Sequence, residues 1–254
     1  MILVMGGTKD ARLLLTSLRA AFPAEMIVAT AISDYGADLL RKQGGCTVLQ
    51  GAMDTAALTR FIREKGVRAL IDATHPFAEQ ATAEARQAAQ KTGVPYLRFE
   101  RPPGQIEAGD GVYYAADFAA AAKIAARLGK VIFLTIGSRH LREILNHLPE
   151  GKKVVARVLP DADSIRQCTS LGLSPAEIVA IQGPVSKALN IALFKEYSAN
   201  VIITKDSGET GGTPEKVAAA RELKIPIVLI RRPPSPAGIN FPTEIINALK
   251  KIPQ

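Results

Sequence analysis

The 254-residue sequence has no tryptophan, two cysteines and three histidines, and each scarcity narrows what it can be. Cys46 and Cys168 stand far apart and neither belongs to a Cys-x-x-Cys pair, so neither a disulfide framework nor a zinc site is implied. Such thiols are common in cores. His75, His140 and His147 are not spaced with carboxylates or cysteines as metal ligands are, so no metal centre is expected. No apolar run approaches the roughly 18 residues of a membrane helix, and the first seven residues carry neither a basic leader nor a cleavage-like site. A soluble, cytoplasmic protein without membrane contact is expected. There is no Ser-His-Asp order, no nucleophile elbow and no evident carboxylate pair, which removes support for hydrolysis.

Charge of one sign is also short. Thirty-two Lys and Arg face 24 Asp and Glu, a formal charge of +8, which favours anionic partners. The basic residues are scattered and no aromatic-studded basic strand accompanies them, so nucleic acid is not the expected partner. A small polyanion in a cleft fits better, against the plain alternative of an ordinary basic surface.

What is present is a repeat. Pro95-Tyr96-Leu97-Arg98-Phe99-Glu100-Arg101-Pro102-Pro103 is echoed by Pro226-Ile227-Val228-Leu229-Ile230-Arg231-Arg232-Pro233-Pro234, offset by about 131 residues. The same shift sets Gly6 on Gly137 and Ala73-Thr74-His75 on Thr204-Lys205-Asp206. Short apolar runs ending in polar turns alternate with helical patterns, which reads as parallel βα units with helices on both faces. In the first half, strands are expected near 1–5, 26–30, 46–49, 68–71 and 95–99, and helices over 55–65 and 77–92. Leu13, Leu14, Leu18 and Phe22 mark another helix before Pro23. The second half predicts strands near 131–135, 154–159, 177–181, 200–204 and 226–230, with helices near 139–147, 186–197 and 214–223. Pro102-Pro103-Gly104 opens a linker containing Gly109 and Gly111. An Ala-rich helix over 116–128 follows, and its lobe is left open. The expected organisation is therefore α/β: a lobe over 1–103, a second over 104–254, parallel sheets, and an active-site cleft between the lobes.

Three turns could carry chemistry. Met5-Gly6-Gly7-Thr8-Lys9-Asp10-Ala11-Arg12 reads as strand, glycine turn and helix start, where free amides and the positive dipole end suit a phosphate. It is equally readable as a tight turn, and Asp10 partly fills that field. Asp72-Ala73-Thr74-His75-Pro76 lies at a strand's carboxyl end, where open α/β sheets bind ligands. His75 there can serve as a proton donor, or Thr74 and His75 merely cap a helix while Asp72 orients amides. Lys205-Asp206-Ser207-Gly208, in the matching place of the second half, offers an ammonium and backbone amides to carboxylates or phosphates. Its glycines also suit a mobile lid. Smaller turns at Gly137-Ser138-Arg139 and Gln182-Gly183-Pro184 complete the set.

Together these motifs resemble one family, the precorrin-6A and cobalt-precorrin-6A reductases of corrin-ring synthesis, over nearly the whole chain. GGTKDAR, from Gly6, resembles the family's Gly-Gly-Thr-x-Glu-Ala pattern with Asp10 for the usual Glu. IDATHPFAEQATAEA, from Ile71, matches its most specific stretch. TIGSRHL, QGPVS, TKDSGETGGTPEKVAAA and the closing Arg231-Arg232-Pro233 follow in the family's order. The resemblance implies two Rossmann-like lobes, NADH or NADPH as cofactor, and a carboxylate-rich tetrapyrrole substrate. Hydride would reach one carbon of a ring double bond and a proton its neighbour. It implies cofactor contacts at Gly6, Gly7, Thr8, Arg12, Ser33, Asp34 and Asp72. It further implies reduction near Thr74 and His75, and substrate carboxylates at Ser138, Arg139, Gly183, Lys205, Ser207 and Gly208. Transient contact with neighbouring enzymes of the pathway is an accompanying expectation.

The loop Ala31-Ile32-Ser33-Asp34-Tyr35-Gly36 has no Arg or Lys for a ribose phosphate. An absent charged contact is worth roughly 1.5–3 kcal/mol, about ten- to a hundredfold, so NADH is favoured. The Gly-Glu-Thr-Gly-Gly stretch and the Gln-Gly-Pro turn resemble the cobalt-first branch. The alternatives are a nicotinamide-dependent reductase of another polycarboxylate, or a non-catalytic two-lobed binder of a small polyanion.

Overall fold

In a computed structural model, residues 1–102, 106–109, 111–234 and 238–253 are described. Pro103 and Gly104 of the expected linker lie outside them. The chain divides into two compact units: Met1–Pro102 with Pro234–Gln254, and Pro103–Pro233.

In unit 1, strands β1 (Ile2–Met5), β2 (Ile27–Ala31), β3 (Thr47–Gln50), β4 (Ala69–Asp72) and β5 (Tyr96–Arg98) alternate with helices α1 (Lys9–Ala21), α2 (Asp34–Gln43), α3 (Thr55–Lys65) and α4 (Glu79–Thr92). All pairings are parallel, in the order β3-β2-β1-β4-β5. Parallel strands covered on both faces read as unbroken apolar runs, because odd and even side chains are buried alike. Ile2 and Val4 pack with Leu14 and Leu18 of α1 and Leu40 of α2. Leu3 and Met5 face the other way, onto Leu58 and Ile62 of α3 and the small Ala85, Ala88 and Ala89 of α4. Thr8, Ser33 and Asp54 start their helices by accepting from the backbone amides of Ala11, Gly36 and Ala57.

Unit 2 contains β6 (Val112–Ala115), β7 (Val131–Leu134), β8 (Lys153–Val158), β9 (Ile178–Ala180), β10 (Val201–Lys205) and β11 (Ile227–Ile230). Its helices are α5 (Phe118–Leu128), the short α6 (Leu141–Leu145), α7 (Ala162–Ser170), α8 (Lys187–Glu196) and α9 (Thr213–Leu223). The sheet order is β6-β11-β10-β7-β8-β9, again parallel. Reading outward from β7, this is the order of unit 1 outward from β1, with β6 added at one edge. The repeat seen in the sequence is thus a repeat of topology. Phe133 meets Phe194 edge-on at 5.2 Å in a core shared with Val155, Ile202 and Leu229. The Ala-rich α5 packs on β10 and β11, which settles its lobe.

The expected second lobe of 104–254 is corrected at its far end. The last helix, α10 (Pro242–Lys250), buries Ile245 and Leu249 among Leu14, Leu18 and Ile2 of unit 1. Ile239 also exchanges backbone hydrogen bonds with Arg98 and Glu100. The apolar spacing of Ile245 and Leu249 marks a helix, but local spacing does not say which sheet it covers.

Candidate functional site

In an open parallel sheet the ligand crevice lies where the strand order reverses, at the carboxyl ends of the two strands concerned. In unit 1 these are β1 and β4, whose last residues Met5 and Asp72 are register partners. The two turns are tied together. The Thr8 hydroxyl donates to the Ala73 carbonyl at 3.2 Å, and a Cβ at Gly6 (φ +138°) would stand 2.5 Å from that same oxygen. Only glycine allows this approach. Gly7 in turn lies against the end of β2 and the start of α2, since its Cβ would fall 3.2 Å from that of Ala31 and 3.4 Å from the Cα of Gly36.

Among the described residues, the N–H groups of Gly7, Thr8 and Lys9 make no hydrogen bond, which leaves the entrance of α1 open to an anion. Asp10 is paired with Arg101 at 2.9 Å, so its charge does not compete alone for that field. These uncommitted amides beside a glycine turn fit a dinucleotide's pyrophosphate. Arg12 stands one turn into the same helix, half-buried.

Asp72, expected among the cofactor contacts, is corrected. Its side chain has no exposed surface, and its oxygens accept from Thr74 N at 3.0 Å, Thr74 Oγ1 at 2.7 Å, Tyr96 Oη at 2.9 Å and Arg98 Nη1 at 2.7 Å. A carboxylate so engaged positions Thr74 and does not reach a ligand. Burial, reinforced by the Asp72 charge, pushes the Tyr96 phenol above its usual range, so Tyr96 stays a donor.

His75 is half-buried beside Phe77, and its Nδ1 accepts from the Phe77 amide at 3.2 Å. Only a ring with a lone pair on Nδ1 makes that bond, so the proton of the neutral imidazole sits on Nε2. The arrangement suits a hydrogen-bond donor better than an acid that must carry protons on both nitrogens. Ser33 spends its hydroxyl on capping α2, and Asp34 accepts from Gln50. Gln50 is also held by Arg41 Nη2 at 2.9 Å, a cation of α2 that inspection of the 31–36 loop alone misses.

In unit 2 the strand order reverses between β7 and β10. Thr135 N donates to Ile203 O at 2.9 Å, joining the start of the turn that carries Ser138 and Arg139 to β10, two residues before Lys205. Lys205 Nζ lies 5.4 Å from the centre of the Phe118 ring, whose face is stacked by His140 at 4.1 Å. Burial, with Arg139 nearby, pushes Lys205 down to about 8. Burial and the charges of Lys205 and Arg139 push His140 down to about 4, so the ring is neutral and its 3.6 Å approach to Glu143 is no ion pair at neutral pH.

The amides expected to bind carboxylates are turned inward. Ser207 N–H donates to Lys205 O and Thr213 Oγ1, and Gly208 N–H to Asp206 Oδ1. Gly208 is buried, so the loop can offer side chains and not a ring of amides. Ser138 Oγ reaches Ser164 Oγ at 3.4 Å, Arg139 is exposed, and Gly183 is an exposed residue of the turn after β9.

A doubly wound parallel sheet with an open glycine turn at its reversal point puts the fold in the Rossmann-like class. Residues 1–250 match the family model for the precorrin-6x reductases CbiJ/CobK. The chain is 43% identical over 235 residues to a cobalt-precorrin-6A reductase of Methanothermobacter thermautotrophicus, covering 91% of this chain and 76% of that one. It is 38% identical to the cobalt-precorrin-6A reductase of Priestia megaterium, covering 98% of both. A solved structure of the precorrin-6A reductase CobK superposes with a TM-score of 0.77 at 27% identity, covering 98% of this chain and 95% of that one. The chain belongs to the precorrin-6x reductase family, nicotinamide-dependent oxidoreductases of cobalamin biosynthesis. Among the described residues, no helix is long and apolar enough to cross a membrane.

Proposed function

We propose that this enzyme reduces one ring double bond of cobalt-precorrin-6A, giving the 6B form, with NADH preferred to NADPH. The observation that carries the reading is the meeting of three uncommitted amides (Gly7, Thr8, Lys9) with Thr74 and His75 at the ends of β1 and β4. When bound, the reduced nicotinamide supplies a hydride to one carbon of the double bond, and a proton completes the neighbouring carbon.

The chain's part is binding and alignment. Gly6, Gly7 and Thr8 cradle the pyrophosphate, with Arg12 as a charge partner. Ser33 and Asp34 lie toward the adenosine ribose. Asp72 and Arg98 hold the Thr74 hydroxyl, which lies 3.0 Å from Arg98 Nη1, on the edge of the nicotinamide pocket. His75 presents Nε2–H to the reacting ring and polarises it, while solvent or a substrate carboxyl gives the proton. Lys205, Arg139, Ser138 and Ser207 take acetate and propionate arms, and Gly183 borders them. The preference for the cobalt form rests on the cobalt-precorrin names of the nearer relatives and on the Gly-Glu-Thr-Gly-Gly stretch. The reading includes a cytoplasmic setting and transient contact with neighbouring enzymes of the pathway.

The test is anaerobic loss of reduced-nicotinamide absorbance, with NADH and NADPH in parallel against cobalt-precorrin-6A and metal-free precorrin-6A. Fastest loss with NADH and the cobalt form is expected. Equal or faster loss with NADPH would overturn the cofactor preference, and faster loss with the metal-free substrate would overturn the substrate choice.

A further inference from the structure

Lys216 belongs to none of the contacts assigned so far. It sits one turn inside α9 with 5% of its surface exposed, on the same buried face as Thr213, Val217 and Ala220. Its Nζ donates to the Gly211 carbonyl at 2.9 Å and to Thr204 Oγ1 at 3.3 Å, and among the described residues it forms no ion pair. Three elements bring charge to bear on it: Arg157 of β8, Lys205 at the end of β10, and Glu215 beside it on α9. Burial comes first, the two cations add to it and Glu215 opposes, which together push the ammonium down to about 7.

A buried ammonium without a carboxylate is costly, and methionine would fill the same space without that cost. Its two acceptors show what it holds. Thr204 lies in β10, which Lys205 ends, and Gly211 lies in the loop that leaves β10 and carries Ser207. That loop folds tightly on itself, since a Cβ at Gly211 would stand 2.1 Å from the Ser207 Cβ. Thr213 Oγ1 closes it from the other side by accepting from Ser207 N at 3.1 Å.

We infer that Lys216 is a positioning residue for substrate binding: its ammonium pins the Gly211 carbonyl to β10 and thereby sets the place of Ser207 beside Lys205. The inference rests on the proposed role of that loop in taking the tetrapyrrole's carboxylates. The pin acts on substrate affinity and not on the cofactor, whose proposed contacts lie in unit 1.

The test compares wild type with Lys216→Met in steady-state kinetics at pH 6.5 and in hydrogen–deuterium exchange of the amides of 206–213. Loss of charge-assisted hydrogen bonds predicts a KM for the tetrapyrrole raised about tenfold or more, with kcat and the KM for the reduced nicotinamide nearly unchanged, and faster exchange in the loop. The Met variant should keep its unfolding temperature, because a merely structural lysine would lower it together with kcat. Unchanged loop exchange overturns the pin itself. Faster exchange with an unchanged KM overturns the loop's assignment to the substrate instead. Thr204→Val, which removes one acceptor and keeps the shape, should shift the same two readouts less. It keeps the question decidable if Lys216→Met does not fold, and no shift in either readout would then overturn the pin.

Discussion

Nη1 of Arg98 lies 2.7 Å from Oδ1 of Asp72 and 3.0 Å from Oγ1 of Thr74, so one guanidinium nitrogen holds both a buried carboxylate and the hydroxyl that carboxylate orients. The two charged side chains are 2% and 0% exposed, with Glu100 taking the other edge of the guanidinium. Removing Arg98 strands a charge with no access to water. Arg98→Ala is expected to cost about 3–5 kcal/mol of stability, read as a lower denaturation midpoint in urea. A loss under 1 kcal/mol would show that the site relaxes to admit water.

His75→Ala is expected to lower kcat about tenfold, the scale of one hydrogen bond to a developing charge. A general acid removed outright costs about a hundred- to ten-thousandfold. Single-turnover rates separate the two, and a thousandfold loss would restore His75 as the proton source in spite of its bond to the Phe77 amide.

Lys205 sets a pH dependence. Its ammonium is pushed down to about 8, chiefly by burial, so it is charged below that pH and loses its charge as pH rises through it. The KM for the carboxylate-rich substrate should therefore be low near pH 7 and climb above about 8, while Lys205→Arg, which keeps its charge, flattens the profile. A wild-type KM that stays level from pH 6.5 to 9 would remove Lys205 from the binding site.

Asp34 bears on the choice of cofactor. Its carboxylate is joined through Gln50 to Arg41, so the loop presents negative charge with a cation one side chain away. Asp34→Ala is expected to narrow the NADH preference about tenfold, mainly through a lower KM for NADPH. Should the preference stay put, the ribose lies elsewhere.

The central strands were legible because they are buried on both faces and end in a turn residue that interrupts the apolar run. Ile2–Met5 before Gly6 and Ile227–Ile230 before Arg231 are of this kind. Helix α2 was not, since Gly36 and Asp38 break its apolar pattern; the signal was Ser33, which caps it. Strand β6 hid behind Gly109 and Gly111 and lies at a sheet edge with Tyr113 exposed. The turns at the ends of β1, β4, β7 and β10 could be found, since glycine and polar residues end each apolar run. Their internal wiring could not: that Asp72 faces Arg98 depends on the pairing of β4 with β5, and the inward amides of Ser207 and Gly208 depend on how one loop closes. Lys216 did leave a trace, a lysine at the buried spacing of Thr213, Val217 and Ala220 in α9.

The return of α10 to the first sheet has a bearing on how the protein is made. During synthesis, everything unit 2 requires, through Pro233, has been translated before Ile245 and Leu249 exist. Until they arrive, Leu14 and Leu18 of α1 lack part of their cover. Of the two units, the one whose strands are translated earlier is thus completed later, and until then its apolar face stays partly uncovered on the nascent chain.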